Sequence, residues 1–269
     1  MTASNHTSAL ASRLRKYGEW AVVTGASDGI GRAFAHELAA SGLNLLLVAR
    51  REARLKTLAE ALRSEHGVQC RVLALDLSTS DALAALQSAT ADLDVGMLIA
   101  SAGYGSSGPF LANEIASELN QLQVNCAAVL AQSWHFGRLF SERGRGGIIL
   151  LSSILGFQGT PMSANYAATK TYVQALAEGM RHELKAKGVD VIASAPGPVA
   201  TGFATRARMR MALAATPEAV ARSTLRALGR RTTVRPGVLS KALGWPLSAM
   251  PRTLRVRVTG LIMRRMLER

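Results

Sequence analysis

Trp20-Ala21-Val22-Val23-Thr24-Gly25-Ala26-Ser27-Asp28-Gly29-Ile30-Gly31 runs from a short apolar stretch straight into three glycines, and a helical pattern of Ala33, Phe34 and Leu38 follows it as far as Gly42. Consecutive apolar residues bounded by a turn signal read as a short strand buried on both faces. The glycines permit a tight turn and a close backbone approach to a bound group. The helix that opens there presents unpaired N–H groups and the positive end of its dipole. Strand, glycine turn and helix in that order fit a pyrophosphate site. An ordinary glycine-rich turn is the plainer reading, and the glycines alone do not exclude it.

The same rhythm continues outward from this stretch. Leu43 to Val48 is a second apolar run, followed by a helical pattern over Glu52 to Glu65 that stops at Gly67. Val72 to Leu75 is a third run and ends in Asp76, after which Ser78-Thr79-Ser80-Asp81 predicts a capping box opening a third helix. Val95 to Ala100, Ile148 to Leu151 and Val189 to Ala193 complete six strands, separated by helical patterns from about Glu114 to Glu142 and from Ser163 to Lys187. Strands buried on both faces and alternating with helices predict an α/β fold: a doubly wound parallel sheet of the Rossmann type, in three α/β/α layers and one domain. Such sheets bind ligands at the carboxyl ends of their strands.

The end of the second strand selects the nucleotide. An acidic residue there would accept hydrogen bonds from a ribose 2′-hydroxyl and repel a 2′-phosphate. This chain instead has Ala49, Arg50 and Arg51. Two guanidiniums without a carboxylate favour NADP(H), with Arg50 as the main contact; a solvated arginine pair opening a helix is the alternative. Asp76 fits the adenine amino group, and equally a turn residue ahead of Ser78.

Ser163-Ala164-Asn165-Tyr166-Ala167-Ala168-Thr169-Lys170 sets a phenol and an ammonium four residues apart, on one helix face with Val173, Ala177 and Met180. A lysine on an apolar face needs a use, because a buried ammonium is costly. The functional reading is a tyrosine whose pKa the cation lowers, ready to exchange a proton at neutral pH. By itself this spacing also suits an incidental pair on a surface helix.

The bulk composition bounds these readings. The chain has 269 residues, 48% hydrophobic and 19% charged, enough for one sizeable core. Its two cysteines, Cys70 and Cys126, lie far apart and form neither a disulfide framework nor a metal site. No metal ligand set is read from the sequence. No apolar run reaches the roughly 18–20 residues that span a bilayer, and residues 1–17 lack the apolar segment of a signal peptide. A cytoplasmic protein, or one peripheral at a membrane, is expected. The net charge of +14 is uneven. Residues 206–269 hold 15 Lys/Arg against Glu218 and Glu268, whereas residues 1–205 hold 17 against 16 acidic groups. The basic quarter fits a solvated face, or a surface that meets acidic lipid, acidic substrate or nucleic acid.

Taken together, Thr24 to Gly31, Asp76-Leu77-Ser78, Ser101-Ala102-Gly103, Asn125, Ser152-Ser153, Tyr166 with Lys170, and Pro196 to Thr201 stand in an order and spacing that resembles the short-chain dehydrogenases/reductases. The resemblance covers about residues 19–235. Residues 17–50 look most like the branch containing 17β-hydroxysteroid dehydrogenases and very-long-chain 3-oxoacyl-CoA reductases, and like related bacterial reductases. It implies Tyr166 as general acid for ketone reduction, or base for alcohol oxidation. Lys170 then tunes the phenol and holds the nicotinamide ribose, Ser153 bonds the substrate carbonyl, and Asn125 fixes a water that relays protons to Lys170. Gly25, Ser27, Asp28, Gly29, Ile30 and Gly31 form the phosphate turn. Arg50, Arg51, Asp76, Leu77, Ser101, Ala102 and Gly103 line the adenosine side. Pro196, Gly197, Val199 and Thr201 cover the nicotinamide. The family's usual Asn-Asn-Ala-Gly is Ala100-Ser101-Ala102-Gly103 here, which implies altered packing beside the adenosine. Ser152 next to Ser153 leaves a small ambiguity of register, and the thirteen-residue spacing to Tyr166 favours Ser153.

The resulting division is an N-terminal arm over 1–18, loosely held, and a catalytic domain over 19–240 with a substrate lid at about 202–216. A basic amphipathic extension follows over 241–269. In the lid, Phe203, Met209, Met211 and Leu213 offer soft apolar contact, and Arg206, Arg208 and Arg210 suit an acidic group such as an acyl-CoA phosphate; a mobile, solvated helix with a few core-facing apolar side chains is the alternative. The extension reads as an interfacial helix on anionic lipid or as a helix packed on the domain or a partner subunit. The expected activity is NADPH-dependent reduction of a ketone on a hydrophobic substrate, 3-oxoacyl or steroid-like. The rivals are an NADP-linked alcohol dehydrogenase running oxidatively and a non-catalytic nucleotide-binding regulator. Intact Ser153, Tyr166, Lys170 and Asn125 speak against the regulator. The absence of an aromatic platform among the basic residues speaks against nucleic acid. The family implies a homo-oligomer.

Overall fold

Alternation along each strand explains the layers. In β1 (Trp20–Thr24), Ala21 and Val23 face one core while Trp20 and Val22 face another. β2 (Asn44–Ala49) divides in the same way, Leu45 and Leu47 against Leu46 and Val48. A strand apolar on both faces is stable only between two helical layers. β3 (Cys70–Ala74), β4 (Val95–Ala100), β5 (Gly146–Leu151) and β6 (Val189–Ser194) join them. A seventh strand, β7 (Thr233–Val234), pairs with β6; two residues leave no apolar run for sequence reading to detect. The order is β3-β2-β1-β4-β5-β6-β7, every pair parallel. The reversal of strand order falls between β1 and β4, where such a sheet opens a crevice at its carboxyl edge. The computed structural model describes residues 2–202, 214–237, 240 and 249–267, with side chains from residue 9 onward.

One layer holds α1 (Thr2–Arg15), α2 (Gly29–Ala40), α3 (Glu52–His66) and α8 (Pro217–Ala227). They meet through Leu14, Phe34, Leu38, Leu55, Leu62 and Leu225. The opposite layer holds α4 (Ala82–Thr90), α6 (Ala128–Arg143) and α7 (Ala164–Lys185), joined by Leu86, Phe136, Phe140, Val173 and Ala177. α5 (Ile115–Leu122) precedes α6, and α9 (Arg252–Leu267) lies near the C-terminus.

Three local expectations need correction. The arm over 1–18 is not loosely held. It forms α1, with Leu14 fully buried and Arg13 donating to the carbonyls of Leu225 at 2.7 Å and Leu228 at 3.1 Å. Tyr17 follows and donates to Asp190 at 2.7 Å. The polar composition of this segment hid it. The capping box at Ser78–Asp81 does not form either. Ser78 donates from both its amide and its hydroxyl to Asp76, so α4 starts only at Ala82, with no side-chain cap. Finally, the helical pattern over 114–142 is interrupted at Gln123–Ala127 by a wider turn, in which the Ala128 amide bonds the Gln123 carbonyl.

The extension packs on the domain through one face of α9. Met263 is buried against Leu155 and Met162, Gly260 sits on Pro161, and Arg255 donates to the Phe157 carbonyl at 3.3 Å. Burial of a methionine of this kind stabilises by about 1.5–3 kcal/mol. Leu254 and Leu261 on the other face remain exposed. The expected lid residues Phe203, Arg206, Arg208, Met209, Arg210, Met211 and Leu213, and residues 241–248 of the extension, lie outside the described residues.

Candidate active site

The predicted site residues converge from eight segments at the carboxyl edge of the sheet. The first is the turn from β1 into α2. Gly25 takes a left-handed φ of 70°, and a β-carbon there would lie 2.9 Å from the Ala102 backbone. At Gly31 a β-carbon would fall 2.3 Å from the Gly25 carbonyl oxygen. The glycines therefore let the turn fold onto itself and onto Ser101-Ala102-Gly103, where Ala102 donates its amide to Thr24 Oγ1 at 3.3 Å. Asp28 caps α2 by accepting from the Gly29 amide at 2.8 Å. The following first-turn amides, Ile30 and Gly31 among them, lack intrahelical acceptors and form an anion cradle.

The ends of β2 and β3 supply charge. Arg51 donates to Ser27 Oγ at 3.1 Å and to Asp28 Oδ2 at 3.4 Å. Arg50 leans the other way, 3.8 Å from Asp76. Arg51, not Arg50, therefore sits directly on the turn, because it precedes α3 and its side chain crosses toward α2. Arg54, one turn further along α3, reaches Asp28 at 3.5 Å. Sequence reading passed over Arg54, although the three-residue spacing from Arg51 puts both on one face. The bonds from Ser78, above all its amide, hold the Asp76 carboxyl below its usual range, with Arg50 a smaller contribution. Leu77 is buried on Ala82 and Ala128 and shapes the wall without a polar contact.

The chemical centre lies where β4, β5 and α7 meet. Lys170 donates to the Leu151 carbonyl at 2.7 Å, and its ammonium lies 5.8 Å from the centre of the Tyr166 ring. Gly103 comes so close that a β-carbon would be 3.4 Å from Lys170 Nζ and 3.0 Å from Asn125 Oδ1. Ser152 donates to the Lys170 carbonyl at 2.9 Å and is structural, while Ser153 bonds the Tyr166 phenol. Asn125, in the wide turn, donates to the Tyr104 carbonyl at 2.9 Å and Thr169 Oγ1 at 3.1 Å, and accepts from the Tyr104 amide at 3.1 Å. Both of its amide hydrogens are thus used within the protein, tying the wide turn to Tyr104 and to Thr169 of α7.

Burial decides the protonation states. It pushes the Tyr166 phenol up to about 12, against the opposing bond from Ser153. It pushes the Lys170 ammonium down to about 8. For the phenol, burial is the larger influence. Withdrawing both groups from water outweighs a cation held across the ring rather than at the hydroxyl. At neutral pH the phenol keeps its proton, as a general acid requires.

The segment after β6 closes the crevice. Thr201 packs directly on Gly29, and Gly202 sits 3.0 Å, measured from a β-carbon position, from the Asp28 carboxylate. Val199 is buried, and its neighbours Pro198 and Ala200 pair with Ala215. Pro196 accepts from the Ile154 amide at 2.9 Å, and the Gly197 amide donates to Ser240 at 2.6 Å. Ser240 and Tyr104 were missed because no motif marks them. Met162, four residues before Tyr166, has a left-handed φ of 67°, alone in this among the described non-glycine residues. Its carbonyl accepts from the Gly108 amide at 2.8 Å, and its side chain packs beneath α9.

An anion cradle with no acidic residue after β2, and a buried hydroxyl–phenol–ammonium group beside it, define a nicotinamide-dependent oxidoreductase acting on CH–OH and C=O groups. The family model of the short chain dehydrogenases matches residues 19–212. The chain belongs to the short-chain dehydrogenase/reductase family. It is 35% identical over 230 residues to a 7beta-hydroxysteroid dehydrogenase of Clostridium sardiniense, covering 84% of this chain and 88% of that one. It is 35% identical over 226 residues to a very-long-chain 3-oxoacyl-CoA reductase of Pyricularia oryzae, covering 82% and 68%. Among solved structures, one from a study of 7beta-hydroxysteroid dehydrogenase stereoselectivity superposes with a TM-score of 0.85 at 28% identity, covering 91% of this chain and 98% of that one. A short-chain dehydrogenase from Sphingobium yanoikuyae in complex with NADPH gives 0.78 at 28% identity, covering 87% and 97%.

Proposed function

We propose that the protein reduces a ketone on a hydrophobic substrate at the expense of NADPH, with Tyr166 donating the proton. The observation that carries this reading is the buried Ser153–Tyr166 hydroxyl pair beside Lys170, with the phenol protonated at neutral pH. The nicotinamide cofactor supplies the hydride when bound. Ser153 and Tyr166 offer two fixed donors to the substrate oxygen as it gains negative charge. Tyr166 passes its phenolic proton to that oxygen, and the Lys170 ammonium stabilises the phenolate left behind. The glycine turn and the first-turn amides of α2 suit a pyrophosphate. Ser27, Arg50, Arg51 and Arg54 suit a ribose 2′-phosphate, and Arg51 and Arg54 also offset the Asp28 charge. Pro196, Gly197, Val199 and Thr201 would cover the nicotinamide, with Ser101, Ala102, Gly103 and Leu77 on the adenosine side. The same groups run in reverse would oxidise an alcohol.

The apolar side chains near the centre support a hydrophobic substrate. The segment between Ser153 and Tyr166 carries Leu155 and Met162, and α9 lays Met263 and Met266 over them. Soft, apolar and adaptable side chains suit a steroid or an acyl chain. A panel of steroid ketones and 3-oxoacyl thioesters of rising chain length, followed by NADPH oxidation, tests the reading. Ketone-dependent NADPH oxidation is expected. No turnover of any member, or a higher kcat/KM with NADH, would overturn it.

Two partner proposals follow from exposed surfaces. The outer face of α9 combines Leu254 and Leu261 with Arg257, Arg264 and Arg265, all exposed, which fits an anionic lipid surface. Removing residues 249–267 is expected to abolish flotation with anionic vesicles. Absence of flotation in the intact protein ends that idea. No helix among the described residues is long and apolar enough to cross a membrane. A homo-oligomer is proposed on the exposed Leu119, Leu130 and Trp134 of α5 and α6; a monomeric mass in solution refutes it.

A further inference from the structure

His36, Glu65 and His66 are distant in sequence and belong to no motif, yet the packing of α2 on α3 brings them together. His36 lies on α2; Glu65 and His66 form the last turn of α3, ahead of Gly67 in a left-handed φ of 67°. His36 Nδ1 is 3.8 Å and His66 Nε2 is 3.7 Å from the same oxygen, Glu65 Oε2. The three donor atoms all lie within 4.8 Å of one another. These separations are too long for hydrogen bonds, which close at about 2.7–3.2 Å. They are close to what an ion imposes: ligands bound at roughly 2.0–2.2 Å stand roughly 3.0–3.6 Å apart around a tetrahedral or five-coordinate metal. Small side-chain rotations close the difference.

We propose that these three residues form a transition-metal site that clamps α2 to α3. Two imidazoles and one carboxylate are a borderline donor set, suited to Zn²⁺, Co²⁺, Ni²⁺ or Cu²⁺ rather than to Mg²⁺ or Ca²⁺, which prefer oxygen alone. Among the charged groups around His36, Glu218 of α8 favours a cation and Arg32, one turn back on α2, opposes it. The frame is rigid, because Phe34 and Leu38 of α2 and Leu55, Leu58 and Leu62 of α3 share one buried core. A rigid frame lowers the ordering cost of binding. The site lies toward the C-terminal ends of both helices, whereas the glycine turn and the Arg51–Arg54 pair lie at their N-terminal ends. It therefore has no part in the chemistry at Tyr166. Its effect is to hold together the two helices whose opposite ends carry the anion cradle.

The test is a titration of full-length, tag-free protein with ZnCl₂ by calorimetry and with CoCl₂ by visible absorption. One equivalent is expected to bind, with cobalt bands characteristic of nitrogen and oxygen ligands and a rise in melting temperature reversed by chelator. H36A and H66A are each expected to weaken binding at least tenfold, and E65Q to weaken it less. All three side chains are on the surface, so these variants should match the wild type in metal-free melting temperature and in NADPH oxidation. No saturable binding to the wild type overturns the proposal. So does unchanged binding by H36A/H66A, which would place the ion on His6, His135 or His182.

Discussion

The two rims of the crevice are built from different materials. On the nucleotide rim, backbone meets backbone: Gly31 lies on the Gly25 carbonyl, and Gly25 lies on Ala102. On the substrate rim, side chain meets side chain: Met263 rests on Leu155 and Met162 beneath α9. Backbone contact of this kind tolerates no added carbon, so it leaves a glycine pattern. Methionine and leucine contacts tolerate many combinations of similar volume, so they leave no pattern. The nucleotide rim is therefore legible in the sequence, while the packing of α9 is not.

The sharpest way to break this division is through the residues between the rims. Tyr166→Phe removes the proton donor and no other heavy atoms. Turnover is expected to fall about a thousandfold, within the range of general acid catalysis, while NADPH affinity by fluorescence titration stays within a factor of about three. Near-normal turnover would refute the assignment. On the nucleotide rim, Gly31→Ala forces a carbon against the Gly25 carbonyl. We expect NADPH affinity to drop on the order of a hundredfold and the protein to lose about 1–3 kcal/mol in urea. Wild-type affinity would mean that the turn has room the structure does not show.

Arg51→Ala probes charge on the same rim. Loss of charge-assisted bonds worth about 1.5–3 kcal/mol is expected to raise the NADPH KM by about tenfold or more and leave the NADH KM nearly unchanged. Arg50→Ala should do less, given its lean toward Asp76; the reverse ranking would restore Arg50 as the main contact. On the substrate rim, Met263→Ala should cost about 2–5 kcal/mol of stability. It should also shift the preferred ketone toward bulkier members by a few-fold in KM, with NADPH affinity unchanged. An unchanged substrate profile would remove α9 from the specificity wall.

The smallest effect concerns protons. Burial pushes the Lys170 ammonium down to about 8 in the folded protein, against ~10.4 for a lysine in water. Between these values the unfolded state binds more protons, so stability rises with pH across that window. Denaturant titrations of wild type and Lys170→Met from about pH 8 to 10 should show the wild type gaining relative to the variant. A flat difference would mean that burial does not depress the ammonium.

Much of this was legible before any coordinate. Six of the seven strands follow from apolar runs, since a strand buried on both faces has little freedom in composition. Gly25 to Gly31 follow from a glycine turn placed between a strand and a helix, whereas Ser153, Tyr166 and Lys170 were singled out through the family resemblance. What escaped notice shares a physical cause. Arg13 and Tyr17 dock the N-terminal segment by bonds to Leu225 and Asp190, 212 and 173 positions away in sequence. Asn125 sits in a wide turn that differs from a helix by a single residue of hydrogen-bond register. Arg51 and Arg50 differ only in which way a side chain leaves the chain end.

By itself, then, the sequence determined the sheet and the cofactor class, because each depends on local chemistry: periodicity and glycine sterics. The tertiary structure alone decided three further matters. It chose Arg51 over Arg50 at the turn, laid α9 over Met162, and set the protonation of Tyr166 and Lys170. Those depend on how much water long-range packing removes and on which groups it brings within a few ångströms, and neither is written in neighbouring residues.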